Sequence, residues 1–166
     1  MQTDKIYLVG FMASGKSTVA RALGRRLDWR VEDVDDRIEA REGRTVASIF
    51  AREGEAYFRS AERSVLVDLL LLRHTVVATG GGTFVDPENR AAINRDGLSV
   101  WLDVPLDDVI RRIPADGRRP LAADRDQLER LYALRRIAYQ QAHLHLDAGQ
   151  IPVDGLVEQV LDMVER

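Results

Sequence analysis

The run Gly10-Phe11-Met12-Ala13-Ser14-Gly15-Lys16-Ser17 restricts the fold of this chain more than any other stretch. Ile6, Leu8 and Val9 before it read as a buried strand, and Val19, Leu23 and Leu27 after it share one face of a helix. A strand, a glycine-bounded loop and a helix in that order make a phosphate-binding loop of the Gly-x-x-x-x-Gly-Lys-Ser type. Successive backbone N–H groups curl around an anionic phosphate, the lysine ammonium reaches the β/γ oxygens, and the serine hydroxyl reaches Mg²⁺. The helix N-terminus adds roughly half a positive charge aimed at the same anion. A glycine-rich turn with an exposed lysine would need neither flanking element, so nucleoside triphosphate binding is the expectation. At Ala13 many such loops carry glycine, so the backbone there must accept a Cβ.

Beyond this loop the pattern alternates. Trp29 to Val34 reads as a second strand ending in Asp33-Val34-Asp35-Asp36, and helical patterns run over 36–42, 45–52 and 55–72. Thr75 to Thr79 is a β-branched run that stops at Gly80-Gly81-Gly82, and a helix over 87–94 leads to a strand over 98–104. A helix over 106–113, a Pro-, Gly- and Arg-rich loop over 114–123, a long helix over 126–143, a short strand over 144–146 and a helix over 153–164 complete the chain. Such alternation predicts an α/β fold: three α/β/α layers about a central parallel sheet of about five strands. Sheets of this kind bind ligands at the carboxyl ends of their strands, where the loop, the aspartates and the glycine triplet all fall.

With 166 residues, 45% of them hydrophobic, the chain can bury one core, and a single domain is expected. The net charge of −3 is spread along the sequence with both signs mixed, which argues against a nucleic-acid or membrane surface. Cysteine is absent, which excludes disulfides and thiolate metal sites, and His74, His143 and His145 are ill-spaced for zinc. Any metal should be the Mg²⁺ that accompanies a nucleotide. No segment approaches the ~18 apolar residues that span a bilayer, and no signal-peptide run opens the chain, so the cytoplasm is the expected location.

Several polar groups could carry chemistry. Asp33 and Asp35 stand two apart at a strand end, one able to face the metal and the other a second substrate; Asp35 and Asp36 could equally cap the following helix. Phe58 and Glu62 lie on the apolar stripe of their helix with Val65, Leu69 and Leu72, and a buried Glu62 would hold Arg59 or Arg63 rigid. Three successive glycines after a buried strand suggest close approach of a ligand to backbone N–H groups. Arg118-Arg119-Pro120-Leu121 suits a lid that closes arginines onto a transferring phosphoryl group.

Together these residues resemble shikimate kinase, in the nucleoside-monophosphate-kinase-like branch of P-loop proteins. The matches are Gly-Phe-Met-x-x-Gly-Lys-Ser-Thr at 10–18, Asp-x-Asp at 33–35, Gly-Glu-x-x-Phe-Arg at 54–59 with Glu62, the glycines at 80–82, Arg-Pro-Leu at 119–121 and Arg-x-x-x-Tyr at 135–139. The resemblance implies a P-loop kinase fold with a substrate-binding part over about 35–62 and a mobile lid over about 112–124. It implies an ATP:shikimate 3-phosphotransferase serving chorismate and aromatic amino acid synthesis, with Mg²⁺, acting as a monomer. Ala13, Ser14, Gly15, Lys16, Ser17 and Thr18 would bind the nucleotide, with Arg112 near the adenine and Arg119 on the lid. Lys16, Asp35 and Arg119 would be catalytic. Ser17 would ligate Mg²⁺ directly and Asp33 through water. Asp35, Arg59, Arg135 and Gly80, Gly81 and Gly82 would bind shikimate, the two arginines at its carboxylate, with Phe50 and Phe58 walling the ring.

Three positions depart from the family's pattern: Ala13 in the loop, Ile137 where proline is common, and Gly149-Gln150 where an adenine-side arginine is common. The Ile137 change leaves the choice between Arg135 and Arg136 to the spacing to Tyr139. Two other readings stay open. A gluconate-type kinase also joins a P-loop to a small hydroxy acid, although the Asp-x-Asp, Phe-Arg and triple-glycine set argues against it. A non-catalytic nucleotide-binding module would be expected to have lost Lys16, Asp35 or Arg59, all of which are present.

Overall fold

A computed structural model of the protein describes residues 2–113 and 125–166. Among the described residues a five-stranded parallel sheet runs in the order β2-β3-β1-β4-β5, with β1 Lys5–Val9, β2 Arg30–Asp33, β3 Thr75–Ala78, β4 Leu98–Asp103 and β5 Leu144–Asp147. The helices are α1 Lys16–Leu27, α2 Val34–Glu42, α3 Val46–Glu53, α4 Glu55–Leu70, α5 Pro87–Asp96, α6 Leu106–Arg112, α7 Arg125–Tyr139 and α8 Val153–Glu165, with a 3₁₀ turn over Thr83–Val85. The two most central neighbours, β1 and β3, are buried along their whole length, as continuous apolar strands covered on both faces must be.

Register brings the polar segments to one rim. Leu8 pairs with Ala78, Ala78 with Asp33 and Val9 with Trp101, so the phosphate-binding loop, the aspartates and the glycine triplet leave the sheet at the same level. Leu23 and Val19 of α1 and Leu66 and Leu69 of α4 are buried in the core, each stabilising the fold by about 1.5–3 kcal/mol relative to exposure.

At the opposite end, the buried Lys5 ammonium donates to the carbonyls of Leu69 and Leu72 and pairs with Asp96 at 3.1 Å. Those carbonyls belong to the last turn of α4 and to the residues just beyond it, where a cation complements the helix dipole. Asp96 also accepts from the Tyr7 hydroxyl at 2.6 Å and from Arg73 at 2.8 Å.

Most boundaries shift by a residue or two from the sequence reading, and two differences bear on the packing. The long helix read over 126–143, α7, stops at Tyr139, because His143 turns back to the sheet: its N–H donates to Ser99 Oγ at 2.9 Å, and its Nδ1 accepts from the Ser99 N–H at 3.1 Å. The second strand gives way to α2 already at Val34.

Candidate active site

The phosphate-binding loop folds around its own lysine. Lys16 Nζ donates to the carbonyls of Gly10 and Phe11, both at 2.8 Å, and Ser14 is buried beneath it. Gly15, at φ 91°, needs the left-handed freedom of glycine to turn the chain into α1. Ala13 also lies in that region, at φ 59°, so its Cβ fits but carries the usual left-handed penalty of an L-residue.

Ser17 Oγ donates to Asp33 Oδ2 at 2.9 Å, while Asp33 Oδ1 accepts from the Asp36 N–H at 3.1 Å. Asp33 is therefore the N-cap of α2, and Asp35 and Asp36, which the sequence left open as ligands or as a cap and first-turn acid set, are the acids of the helix's first turn. Because the chain is already turning at Asp33, the alternation of a strand no longer applies, and Asp33 and Asp35 line the same cleft. Burial raises the Asp36 carboxyl above its ordinary value, with the negative charges of Asp33 and Glu39 adding to it.

That cleft encloses about 1070 Å³ and is lined by Ala13 to Thr18, Asp33, Asp35, Phe58, Arg59, Gly80 to Gly82, Arg112 and Arg135. Every expected site residue among those described is thus brought to one cavity; Arg119 and the rest of the expected lid beyond Ile113 lie outside the described residues. Ala148 to Val153 and Arg112 line it too, and Arg112 Nη1 donates to the Ala13 carbonyl at 3.3 Å. Phe50 and Phe58 pack 4.6 Å apart on the same wall.

On α4, Arg59 Nη1 donates to both oxygens of Glu62 at 3.1 Å, and Glu62 is 1% exposed. Arg63, the other candidate partner, reaches Asp86 and Glu88 instead. On α7 the adjacent arginines part company. Arg135 is 6% exposed and stands 5.9 Å over the Phe11 ring, whereas Arg136 pairs with Asp103 and lies 4.8 Å over Trp101. Burial lowers the Arg135 guanidinium's proton affinity and the like charge of Arg59 lowers it further, a net shift that neighbouring carboxylates do not reverse.

The glycine triplet packs against three of these side chains. A Cβ on Gly80 would come within 2.8 Å of Asp35 Oδ1, one on Gly81 within 2.8 Å of Arg135 Nη1, and one on Gly82 within 2.5 Å of Arg59 Nη1 and Nη2. Glycine is required there because side chains from α2, α7 and α4 lie against the turn. The expectation of three free backbone donors needs correction at Gly80, whose N–H is taken by Thr83 Oγ1 at 3.0 Å. The Gly81 carbonyl accepts from the Tyr139 hydroxyl, whose pKa burial raises. Sequence reasoning missed Thr83; a hydroxyl directly after the triplet was its one legible signal.

The shikimate kinase family model matches residues 12–165. The chain belongs to the shikimate kinase family. It is 38% identical to a shikimate kinase from Persephonella marina, with 96% of this chain and 98% of that one covered. It is 42% identical to one from Microcystis aeruginosa, covering 96% and 85%. A structure of shikimate kinase from Acinetobacter baumannii in complex with shikimate superposes with a TM-score of 0.91 at 34% identity, covering 98% of this chain and 93% of that one. Membership makes the chain an enzyme, an ATP-dependent kinase acting on shikimate.

Proposed function

We propose that the chain transfers the γ-phosphoryl of ATP to the 3-hydroxyl of shikimate, as a monomeric cytoplasmic enzyme of one domain with its acceptor-binding part over about 35–62 and a lid over about 112–124. The observation that carries this reading is the placement of Arg59 and Arg135 against one glycine turn, in the same cleft as the phosphate-binding lysine. Two guanidiniums side by side, one of them buried, call for an anion between them. A hydroxy acid supplies it with its carboxylate and leaves a ring hydroxyl to face the nucleotide.

In this reading Lys16 and the backbone of Ala13 to Thr18 hold the phosphates, and Arg112 lies beside the base. Phe50 and Phe58 flank the ring, Gly81 and Gly82 line it, and Arg59 and Arg135 fix the carboxylate so that the hydroxyl meets Asp35. Asp35 accepts the hydroxyl's hydrogen bond and orients it for in-line attack, and Arg119 adds positive charge at the transferring group. Because phosphoryl transfer is mostly positioning plus charge stabilisation, rigid arginines and a held hydroxyl account for most of what the protein must do.

Ser17 and Asp33 fit Mg²⁺: a hydroxyl and a carboxylate 2.9 Å apart offer hard oxygens, and this ion takes few protein ligands and completes its shell with phosphate and water. Held there beside the nucleotide, such an ion would supply charge neutralisation for the phosphates. Among the described residues no helix is long and apolar enough to cross a membrane.

The experiment is ADP release from Mg-ATP with shikimate, with gluconate and with no acceptor in parallel. Release that depends on shikimate is expected. Release with gluconate and none with shikimate would replace the reading by a gluconate-type kinase, and ATP binding without stimulation by either acceptor would favour a non-catalytic module.

A further inference from the structure

Thr83 opens the 3₁₀ turn after the glycine triplet and is fully buried. Its hydroxyl donates to Glu62 Oε2 at 2.9 Å and accepts from the Gly80 N–H at 3.0 Å. A hydroxyl has one proton to give, and here it goes to the carboxylate that in turn holds Arg59 Nη1 through both oxygens. The same hydroxyl fixes Gly80, whose Cα faces Asp35 so closely that a Cβ would meet its carboxylate at 2.8 Å. One side chain thus ties the turn behind Asp35 to the carboxylate behind Arg59.

We propose that Thr83 is a positioning residue for the acceptor: through Glu62 and Gly80 it sets where the Arg59 guanidinium stands relative to Asp35. The proposal rests on the reading that Arg59 holds the shikimate carboxylate. Removing the hydroxyl while keeping the shape, as in Thr83→Val, leaves both the Gly80 N–H and Glu62 Oε2 short of a partner away from water. Glu62 then keeps Arg59 as its remaining donor and follows it. The guanidinium loses its fixed anchor, and binding of a carboxylate that needs a set direction weakens. Nucleotide contacts come from the other side of the cleft, through Ala13 to Thr18, and are untouched.

The test measures the affinities of shikimate and ATP, and kcat, in Thr83→Val, Thr83→Ser, Arg59→Ala and the double variant Thr83→Val/Arg59→Ala. Thr83→Val should weaken shikimate on the order of tenfold and leave ATP unchanged. Thr83→Ser, which keeps the hydroxyl, should match the wild type. In the Arg59→Ala background Thr83→Val should add nothing further, because the group it positions is gone. If the valine variant does not fold, Thr83→Ala compared with Thr83→Ser makes the same measurement. Equal affinity in the valine or alanine variant and the wild type, equal weakening of both ligands, a serine variant as weak as the valine one, or full additivity with Arg59→Ala would each overturn the proposal. Wild-type shikimate affinity in Arg59→Ala alone would instead remove the reading beneath it.

Discussion

Gly82→Ala separates the fold from the site. Gly82 has φ −102° and ψ −7°, negative-φ backbone that alanine adopts without left-handed strain. Its new methyl, however, would stand 2.5 Å from both terminal nitrogens of Arg59 and 2.7 Å from Cζ. An ordinary contact begins near 3.4 Å, so the guanidinium must retreat by about 0.9 Å, the difference between 3.4 and 2.5 Å. Arg59 can do so, because its side chain is 28% exposed, and the stability cost should stay within about 0.5 kcal/mol. The functional cost is larger. A displacement of that size forfeits the directed hydrogen bond to a bound carboxylate, worth about 1.5–3 kcal/mol for a charged pair, or roughly 10- to 150-fold in affinity. Coupled ADP-release kinetics should show the KM for shikimate raised by that factor, with the KM for ATP and the melting temperature close to wild type. A folded variant with wild-type shikimate KM would refute the claim that Gly82 is small for the sake of Arg59. An equal rise in both KM values would refute its restriction to the acceptor side.

Asp35→Asn keeps the volume and the first-turn position in α2 while removing the charge, so kcat should fall by about two orders of magnitude or more with the fold retained; a kcat near wild type would reduce Asp35 to a helix-end acid. Ala13→Gly should raise stability by about 0.5–1 kcal/mol in denaturant titration, because glycine occupies φ 59° without the left-handed penalty; a loss of stability would mean that the entropy of the flexible loop dominates. Asp96→Asn should cost up to about 3 kcal/mol near neutral pH by leaving the buried Lys5 ammonium without its counter-charge. Burial acts to raise the Asp96 carboxyl, but hydrogen bonds from Tyr7, Arg73 and Lys5 outweigh it and hold the folded-state pKa below its ordinary value. The stability that this carboxylate adds is therefore present above its unfolded pKa, about 3.9, and is lost as pH falls through the folded value. The gap between variant and wild type should narrow in acid, and a gap that stayed constant or widened there would contradict the linkage.

Much of this protein is written in local pattern. The glycines and lysine of 10–17, with an apolar strand before and an amphipathic helix after, suffice to specify a phosphate-binding loop, because its chemistry is that of consecutive backbone N–H groups and needs nothing from elsewhere in the chain. The alternation of β-branched runs with helical periods specifies a parallel sheet, and β1 and β3 are indeed buried on both faces. The burial of Glu62, and with it the anchoring of Arg59, could be anticipated from its place on the apolar stripe of α4.

Other features depended on residues distant in sequence. The spacing to Tyr139 pointed to Arg135 rather than Arg136 only through the family pattern; physically, about 100° of helical rotation sends one into the cleft and the other to Asp103, and the packing of α7 against the residues of β4 and the phosphate-binding loop fixes which. The aspartates at 33–36 could be capping groups or ligands, and only the turn at Asp33 decides which of them caps α2, its carboxylate accepting from the Asp36 N–H and from Ser17 Oγ at once. The glycine triplet can be seen in the sequence but not explained by it, since Asp35, Arg135 and Arg59 reach it from three separate helices. Contacts between neighbours in the chain follow from backbone geometry and periodicity. Side chains from distant elements meet only after the core has set the register of the strands and the rotation of the helices, and it is there that the acceptor end of this site is made.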